Sequence, residues 1–335
     1  MAIEADPRAR NWPRRLLTLP AVWLVGFFSL ATLPLWLPVL AIVDLFRGAP
    51  RVAVRCGLFL TWFALCEMFG MLAFAFVMIS SAGRPDRIGG RLHALQRMWS
   101  GALFAGARRI FGFRLAVEGQ DETVATPFLL FMRHASMADT LLPAVLIANV
   151  SGARIRYVMK RELLVDPCLD LVGQRLPNYF VDRFSDAGHR EIAAIGALGA
   201  GLGEGEGVII YPEGTRFTPA RRRRIIERFE AAGDTQAVAR ASSLTRVLPP
   251  RDGGALALLE SAPSADVVIA AHSGFEGAAT FPALWRGELV GRTIRVRFWR
   301  VPRSQIPEDR PARSRWLVDQ WRLVDEWLGE VESET

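Results

Sequence analysis

The sequence predicts an α/β fold, a mixed and largely parallel sheet flanked by helices, preceded by an N-terminal membrane helical hairpin. Three observations predict it. Two long apolar runs, 16–43 and 58–79, stand near the start of the chain. Beyond Gly83-Arg84-Pro85, short strand-like runs alternate with helical periodicity, the pattern of a sheet covered by helices on both faces. The 335 residues are 51% hydrophobic with a mean hydropathy of +0.20, more apolar than a soluble domain of this length requires.

Each apolar run exceeds the roughly 20 residues that a helix needs to cross the hydrocarbon core. The segment Val43 to Arg51 between them reads as a polar turn. Pro20, Pro34 and Pro38 interrupt the first run and Glu67 lies inside the second. A hairpin that enters one leaflet and returns therefore stays open beside a spanning one. The length of the first run, and the second run after it, argue against a cleaved signal peptide. Arginines stand on both sides of the runs and in the turn, so charge gives only a slight bias toward cytoplasmic termini. The chain divides on this reading into a hairpin, 1–83, and one domain, 84–335.

Within that domain, Arg91 to Phe111 carries Leu92, Leu95, Trp99, Leu103 and Ala107 on one helical stripe. Phe113 to Glu118 alternates as a strand, and Pro127 to Met132 is a short buried-type strand. Leu141 to Val150 reads as a helix in which Pro143 is awkward. Strands follow at Ile155–Met159, Asn178–Val181, Gly207–Tyr211, Asp266–Ala271 and Thr293–Val301, with a glycine-loosened helix at Arg190–Leu202. Thr218-Pro219 starts a helix that ends near Gly233 and carries Arg221 to Arg224 as a solvated or headgroup-facing run. Leu317, Trp321, Val324 and Leu328 share one face of a Trp-rich C-terminal helix, which either docks on the domain or lies in the membrane interface.

The net charge of +7 is almost entirely arginine, which suits an anionic bilayer or phosphate-bearing substrates. Nucleic acid is disfavoured, because no aromatic platform accompanies the charge. Three cysteines without a Cys-x-x-Cys or a zinc-type spacing disfavour disulfides and metal. No Gly-x-Ser-x-Gly nucleophile elbow occurs.

Two segments carry candidate chemistry, each at the C-terminal end of a strand, where ligands gather in such sheets. The first is Arg133-His134-Ala135-Ser136-Met137-Ala138-Asp139. On one continuous helix His134 and Asp139 would point in different directions. A turn between them lets the carboxylate hold one ring nitrogen while the other takes a proton. Ser136-x-x-Asp139 also fits a plain capping box. The second segment, Tyr211-Pro212-Glu213-Gly214-Thr215-Arg216, offers a guanidinium and a hydroxyl for a phosphate, or else an ordinary loop with an internal ion pair. His93, His189 and His272 lack a matching Asp and read as structural or exposed.

Together these segments resemble the lysophosphatidic acid (glycerolipid or lysophospholipid) acyltransferases, known by a His-x4-Asp block followed by Pro-Glu-Gly-Thr-Arg. Lys160-Arg161-Glu162-Leu163, Gly173, Val181-Asp182-Arg183, Phe217-Thr218, Leu248-Pro249-Pro250-Arg251 and Ile306-Pro307 add to the resemblance, which spans about Val117 to Trp327. It implies that His134 is a general base oriented by Asp139. It implies that Glu213, Gly214, Thr215 and Arg216 bind the lyso-lipid phosphate, with Lys160 and Arg183 assisting. It further implies direct transfer from acyl-CoA or acyl carrier protein, with no other cofactor and no metal, and an oxyanion held by a backbone N–H near His134 or Gly214. The implied acceptor is 1-acylglycerol-3-phosphate, giving phosphatidic acid. Other lipid acceptors (a lysocardiolipin, an ornithine lipid, a glycolipid) and a non-catalytic lipid-binding scaffold stay open. The implied setting is the cell membrane with the active site facing the cytoplasm. Two positions depart from the family pattern: Arg133 stands where most members have Asn, and Val267 to Ala271 lacks a frequent proline.

Overall fold

The computed structural model describes residues 12–48, 51–123, 127–182 and 188–334. They form two compact units that interleave along the chain, one of Met1–Arg114, Leu141–Phe184 and Thr280–Arg292, the other of Leu115–Thr140, Ser185–Ala279 and Thr293–Thr335.

The first unit opens with α1 (Trp12–Ala31), α2 (Leu33–Phe46), α3 (Val52–Ser80) and α4 (Pro85–Phe111). The first apolar run breaks at Thr32, whose hydroxyl donates to the Phe28 carbonyl at 2.6 Å. Pro34 falls in the first turn of α2, where its missing N–H costs nothing, while Pro20 and Pro38 stay inside their helices. Asp44 closes the turn by accepting from the first amides of α3, Ala53 at 2.7 Å and Val54 at 2.9 Å. Of the described helices, α1 and α3 are long and apolar enough to cross a membrane, whereas α2 is shorter. Leu16, Leu17, Phe27, Leu35, Phe76 and Ile79 are exposed on these helices, but Arg15, Asp44 and Glu67 are buried.

Those buried charges are paired. Arg15 donates to Asp170 at 2.9 Å, and Glu67 accepts from Trp99 Nε1 at 2.8 Å and from the Cys168 amide at 3.0 Å. The unit also holds α5 (Asn149–Ser151), α6 (Pro167–Leu171) and α11 (Phe281–Trp285). Its parallel strands β3 (Arg154–Lys160) and β4 (Tyr179–Val181) pair from Val158↔Tyr179 to Lys160↔Val181. Pro143 opens a π-helical turn, Pro143–Ala148, ahead of α5, so it begins the helical segment rather than interrupting it.

The second unit is built on β1 (Arg114–Glu118), β2 (Phe128–Met132), β5 (Glu206–Ile210), β6 (Asp266–Ser273) and β7 (Thr293–Val301), in the order β1-β7-β6-β2-β5. Strand β2 runs parallel to both β5 and β6, and β6 runs antiparallel to β7. Every residue of β2 is buried, as its unbroken apolar run demands. Helices α7 (Gly188–Ala197), α8 (Pro219–Ala231), α9 (Thr235–Ser243), α10 (Asp252–Ser261) and α12 (Arg310–Ser333) complete the unit. α10 packs on α7, and α12 packs on β6 and α10. Leu317, Trp321, Val324 and Leu328 are buried on α12 as their spacing predicts. The α/β class, with a mixed and mostly parallel sheet flanked by helices, is the one the sequence predicts.

Candidate active site

The site begins where β2 ends. The Arg133 amide still donates to the Ala270 carbonyl at 3.0 Å, which extends the pairing with β6 by one residue. The chain then turns, and Asp139 enters the short 3₁₀ helix Ala138–Leu141. Asp139 accepts from the amides of Ala135 at 2.7 Å and Ser136 at 2.8 Å, which folds its carboxylate back under the loop. There it meets His134 Nδ1, at 3.1 Å from Oδ1 and 3.3 Å from Oδ2. The bond to the Ser136 amide is half of a capping box, so one carboxylate both caps the turn and pairs with the imidazole.

Asp139 is fully buried, and burial opposes its charge. Hydrogen bonds and charge from His134 and His272 outweigh that and hold its carboxyl below the ordinary range. An ionised carboxylate only accepts, so the His134 hydrogen lies on Nδ1 and the Nε2 lone pair is left for a substrate proton. The ring rests against Tyr211, with centroids 4.6 Å apart.

The second segment follows β5. Gly214 takes a left-handed φ of +66° and its amide donates to the Tyr211 carbonyl at 2.8 Å, a turn that favours glycine. Glu213 is buried, with Oε1 accepting from the His134 amide at 3.0 Å and Oε2 from the Leu248 amide at 2.9 Å. Burial pushes its carboxyl up to about 7, against the pull of the Arg133 charge and the two amides. The Phe217 amide donates to the His134 carbonyl at 3.1 Å, so the loop is laced to His134 at both of its ends. Arg216 donates to the Ala279 carbonyl, and Thr215 is half-buried beside it. Thr218 then caps α8, accepting from the Arg221 amide at 3.1 Å.

His134, Asp139 and Glu213 thus meet, with Gly214, Thr215 and Arg216 on the same laced loop. Two expectations are altered by the geometry. Both Glu213 oxygens accept from backbone amides, so this carboxylate braces the loops, where the resemblance implied a phosphate contact. The amides of His134 and Gly214 are themselves spent on Glu213 and Tyr211, so of the backbone N–H groups near these residues those two are occupied. Arg133 is buried and donates to the His272 carbonyl and to Glu276, both at 2.6 Å. Lys160 is half-buried at the end of β3 in the first unit, and Arg183 lies outside the described residues. His272, read from sequence as structural or exposed, is fully buried with Nε2 3.4 Å from Asp139 Oδ2. The signal that would have found it is register: β6 lies beside β2 with Met132 opposite Ala270, which carries His272 toward His134.

The site is an Asp-oriented imidazole at the C-terminal end of a central strand of an α/β sheet. Residues 114–272 match the acyltransferase family model. Its fold is similar to a crystal structure of the 1-acyl-sn-glycerophosphate (LPA) acyltransferase PlsC from Thermotoga maritima. The TM-score is 0.52 at 12% sequence identity, over 79% of this chain and 95% of that one. No curated protein sequence matches this chain.

Proposed function

We propose that this protein is an acyltransferase that moves a fatty acyl chain from acyl-CoA or acyl carrier protein to the free hydroxyl of a lysophospholipid at a membrane surface. The acceptor we favour is 1-acylglycerol-3-phosphate, which gives phosphatidic acid. The observation that carries this reading is the His134–Asp139 pair, with Nδ1 held at 3.1 Å and Nε2 left for a substrate.

In the proposed reaction, His134 Nε2 takes the hydroxyl proton as the oxygen attacks the thioester carbonyl. The tetrahedral intermediate then expels the thiolate, which takes the proton back from the imidazolium. Asp139 fixes the ring and offsets its positive charge. A thioester is already activated, so no covalent acyl-enzyme and no cofactor beyond the donor are needed. Arg216 and Thr215 bind the acceptor phosphate, with Lys160 and Arg183 as further cations for it. Segment 1–83 serves as the membrane anchor of the domain at 84–335. Support comes from the apolar side chains exposed on α1 to α3 beside a length sufficient to cross a bilayer. The proposed location is the cell membrane with the site on the cytoplasmic side, where both donors occur.

Purified protein in detergent, given labelled acyl-CoA or acyl carrier protein and a panel of lyso-lipids, tests this reading. The expected product is phosphatidic acid by mass spectrometry. Transfer only to phosphate-free acceptors would remove 1-acylglycerol-3-phosphate, and transfer to none would remove the lipid reading.

A further inference from the structure

Two imidazoles hold Asp139, and only one of them belongs to the His-x4-Asp string. We infer that His272 is a positioning residue whose Nε2–H fixes the rotation of the Asp139 carboxylate, so that Oδ1 stays on His134. The inference rests on the general-base role of His134 proposed above.

His272 lies near the end of β6, and its side chain is fully buried. Its Nε2 is 3.0 Å from the Arg133 carbonyl and 3.4 Å from Asp139 Oδ2. Both neighbours only accept, and Nδ1 has no hydrogen-bond partner among the described residues, so the ring hydrogen belongs on Nε2. Asp139 Oδ2 also takes the Ala135 and Ser136 amides, whereas Oδ1 makes the shorter approach to His134. Two amides from a single loop leave the carboxylate free to pivot about that oxygen. The His272 N–H, given to the Arg133 carbonyl at 3.0 Å and shared at 3.4 Å with Oδ2, adds a longer contact from another strand that limits the pivot.

His272 is held in turn. Its carbonyl accepts from Arg133 at 2.6 Å, and Arg133 is anchored on Glu276 at 2.6 Å and on the Arg246 carbonyl at 3.3 Å. Charge follows the same line, since burial opposes the Glu276 carboxylate but the Arg133 charge and hydrogen bond hold its carboxyl below the ordinary range. Arg133, which stands where the resembling family carries Asn, therefore belongs to the brace beneath the histidine pair.

Two substitutions separate donor from shape. His272→Phe keeps a ring of similar volume without a donor, and His272→Gln keeps an N–H of similar reach. The assay uses the full-length protein in detergent with palmitoyl-CoA and 1-oleoylglycerol-3-phosphate. His272→Phe is expected to lower kcat about tenfold at unchanged KM, while His272→Gln retains at least about a third of it. Should the Phe variant fail to fold, His272→Asn, whose amide falls short of Asp139, takes its place.

Equal loss in the donor-free and donor-bearing variants, or kcat within about twofold of the parent without the donor, overturns the inference. Parent protein and His134→Ala are assayed alongside. A parent without turnover from either acyl-CoA or acyl carrier protein across the lyso-lipid panel overturns the proposed function and this inference with it. A parent that depends on His134, beside a fully active donor-free variant, overturns this inference alone.

Discussion

The helices α1 to α3 and the sheet unit around His134 solve opposite problems with the same side-chain types. On the helices, Leu16, Phe27, Leu35 and Phe76 are exposed while Arg15, Asp44 and Glu67 are buried. In the sheet unit the polar surface is outward, with β2 and the Trp321 face of α12 inside. Among the buried polar groups there, His134, Asp139, Glu213 and His272 meet in one network. Reversed polarity in the first case fits an apolar solvent, since leaving so much hydrocarbon in water is unfavourable by about 25 cal/mol for each Å². In the second, each of these four buried groups is bonded, as their burial requires.

The largest expected effect that would break this contrast is at the base. His134→Ala should lower kcat by about 10²- to 10⁴-fold while melting within a few degrees of the parent, because its backbone bond to Glu213 survives. A large loss of melting temperature with little loss of turnover would assign His134 to packing. Next comes the core: Trp321→Ala should cost about 3–5 kcal/mol in denaturant unfolding, as expected for a fully buried ring.

Protonation gives a third test. The Glu213 carboxyl is raised from its ordinary 4.5 to about 7 in the fold, so in that window the native protein holds more protons than the unfolded chain. Stability should therefore fall as pH rises through the window, by roughly 3 kcal/mol, and level off above it. Glu213→Gln should flatten this slope in melts between those pH values. Asp139 acts in the opposite sense, contributing stability that is lost only as pH falls below the ordinary carboxylate value of 3.8.

A smaller effect belongs to recognition. Arg216→Ala should raise KM for a phosphate-bearing acceptor about tenfold to hundredfold and change kcat less, as read from initial rates. The smallest is the sharpest contrast with Trp321. Phe76→Ser, at a side chain 71% exposed, should change stability in detergent by less than about 0.5 kcal/mol yet weaken retention in liposomes on flotation. A core-sized loss of stability in detergent would mean that this face is packed against protein rather than lipid.

Much of the fold was legible because strand and helix periods survive in the composition. The buried run 128–132 and the stripe of Leu317, Trp321, Val324 and Leu328 need no tertiary knowledge. α10 escaped notice because Gly253 and Gly254 interrupt its pattern. Both allow close approach, for a Cβ at either would come within 2.9 Å of Ile192 or Ile210. The His134–Asp139 pair was readable from spacing plus one turn. The His272 contact was not, since it depends on which strand lies beside β2, and sequence distance hides that. The fate of Arg133 was hidden for the same reason, as its partners stand more than a hundred residues away.

Glu213 ties together three stretches of chain, its own loop and the amides of His134 and Leu248. Loss of that single side chain would free two donors in the interior and let the residues on either side drift apart. A mutational survey would then score Glu213 as sensitive because of the two amides it holds. In the string Glu-Gly-Thr-Arg, the first letter is the joinery that fastens one loop to two others.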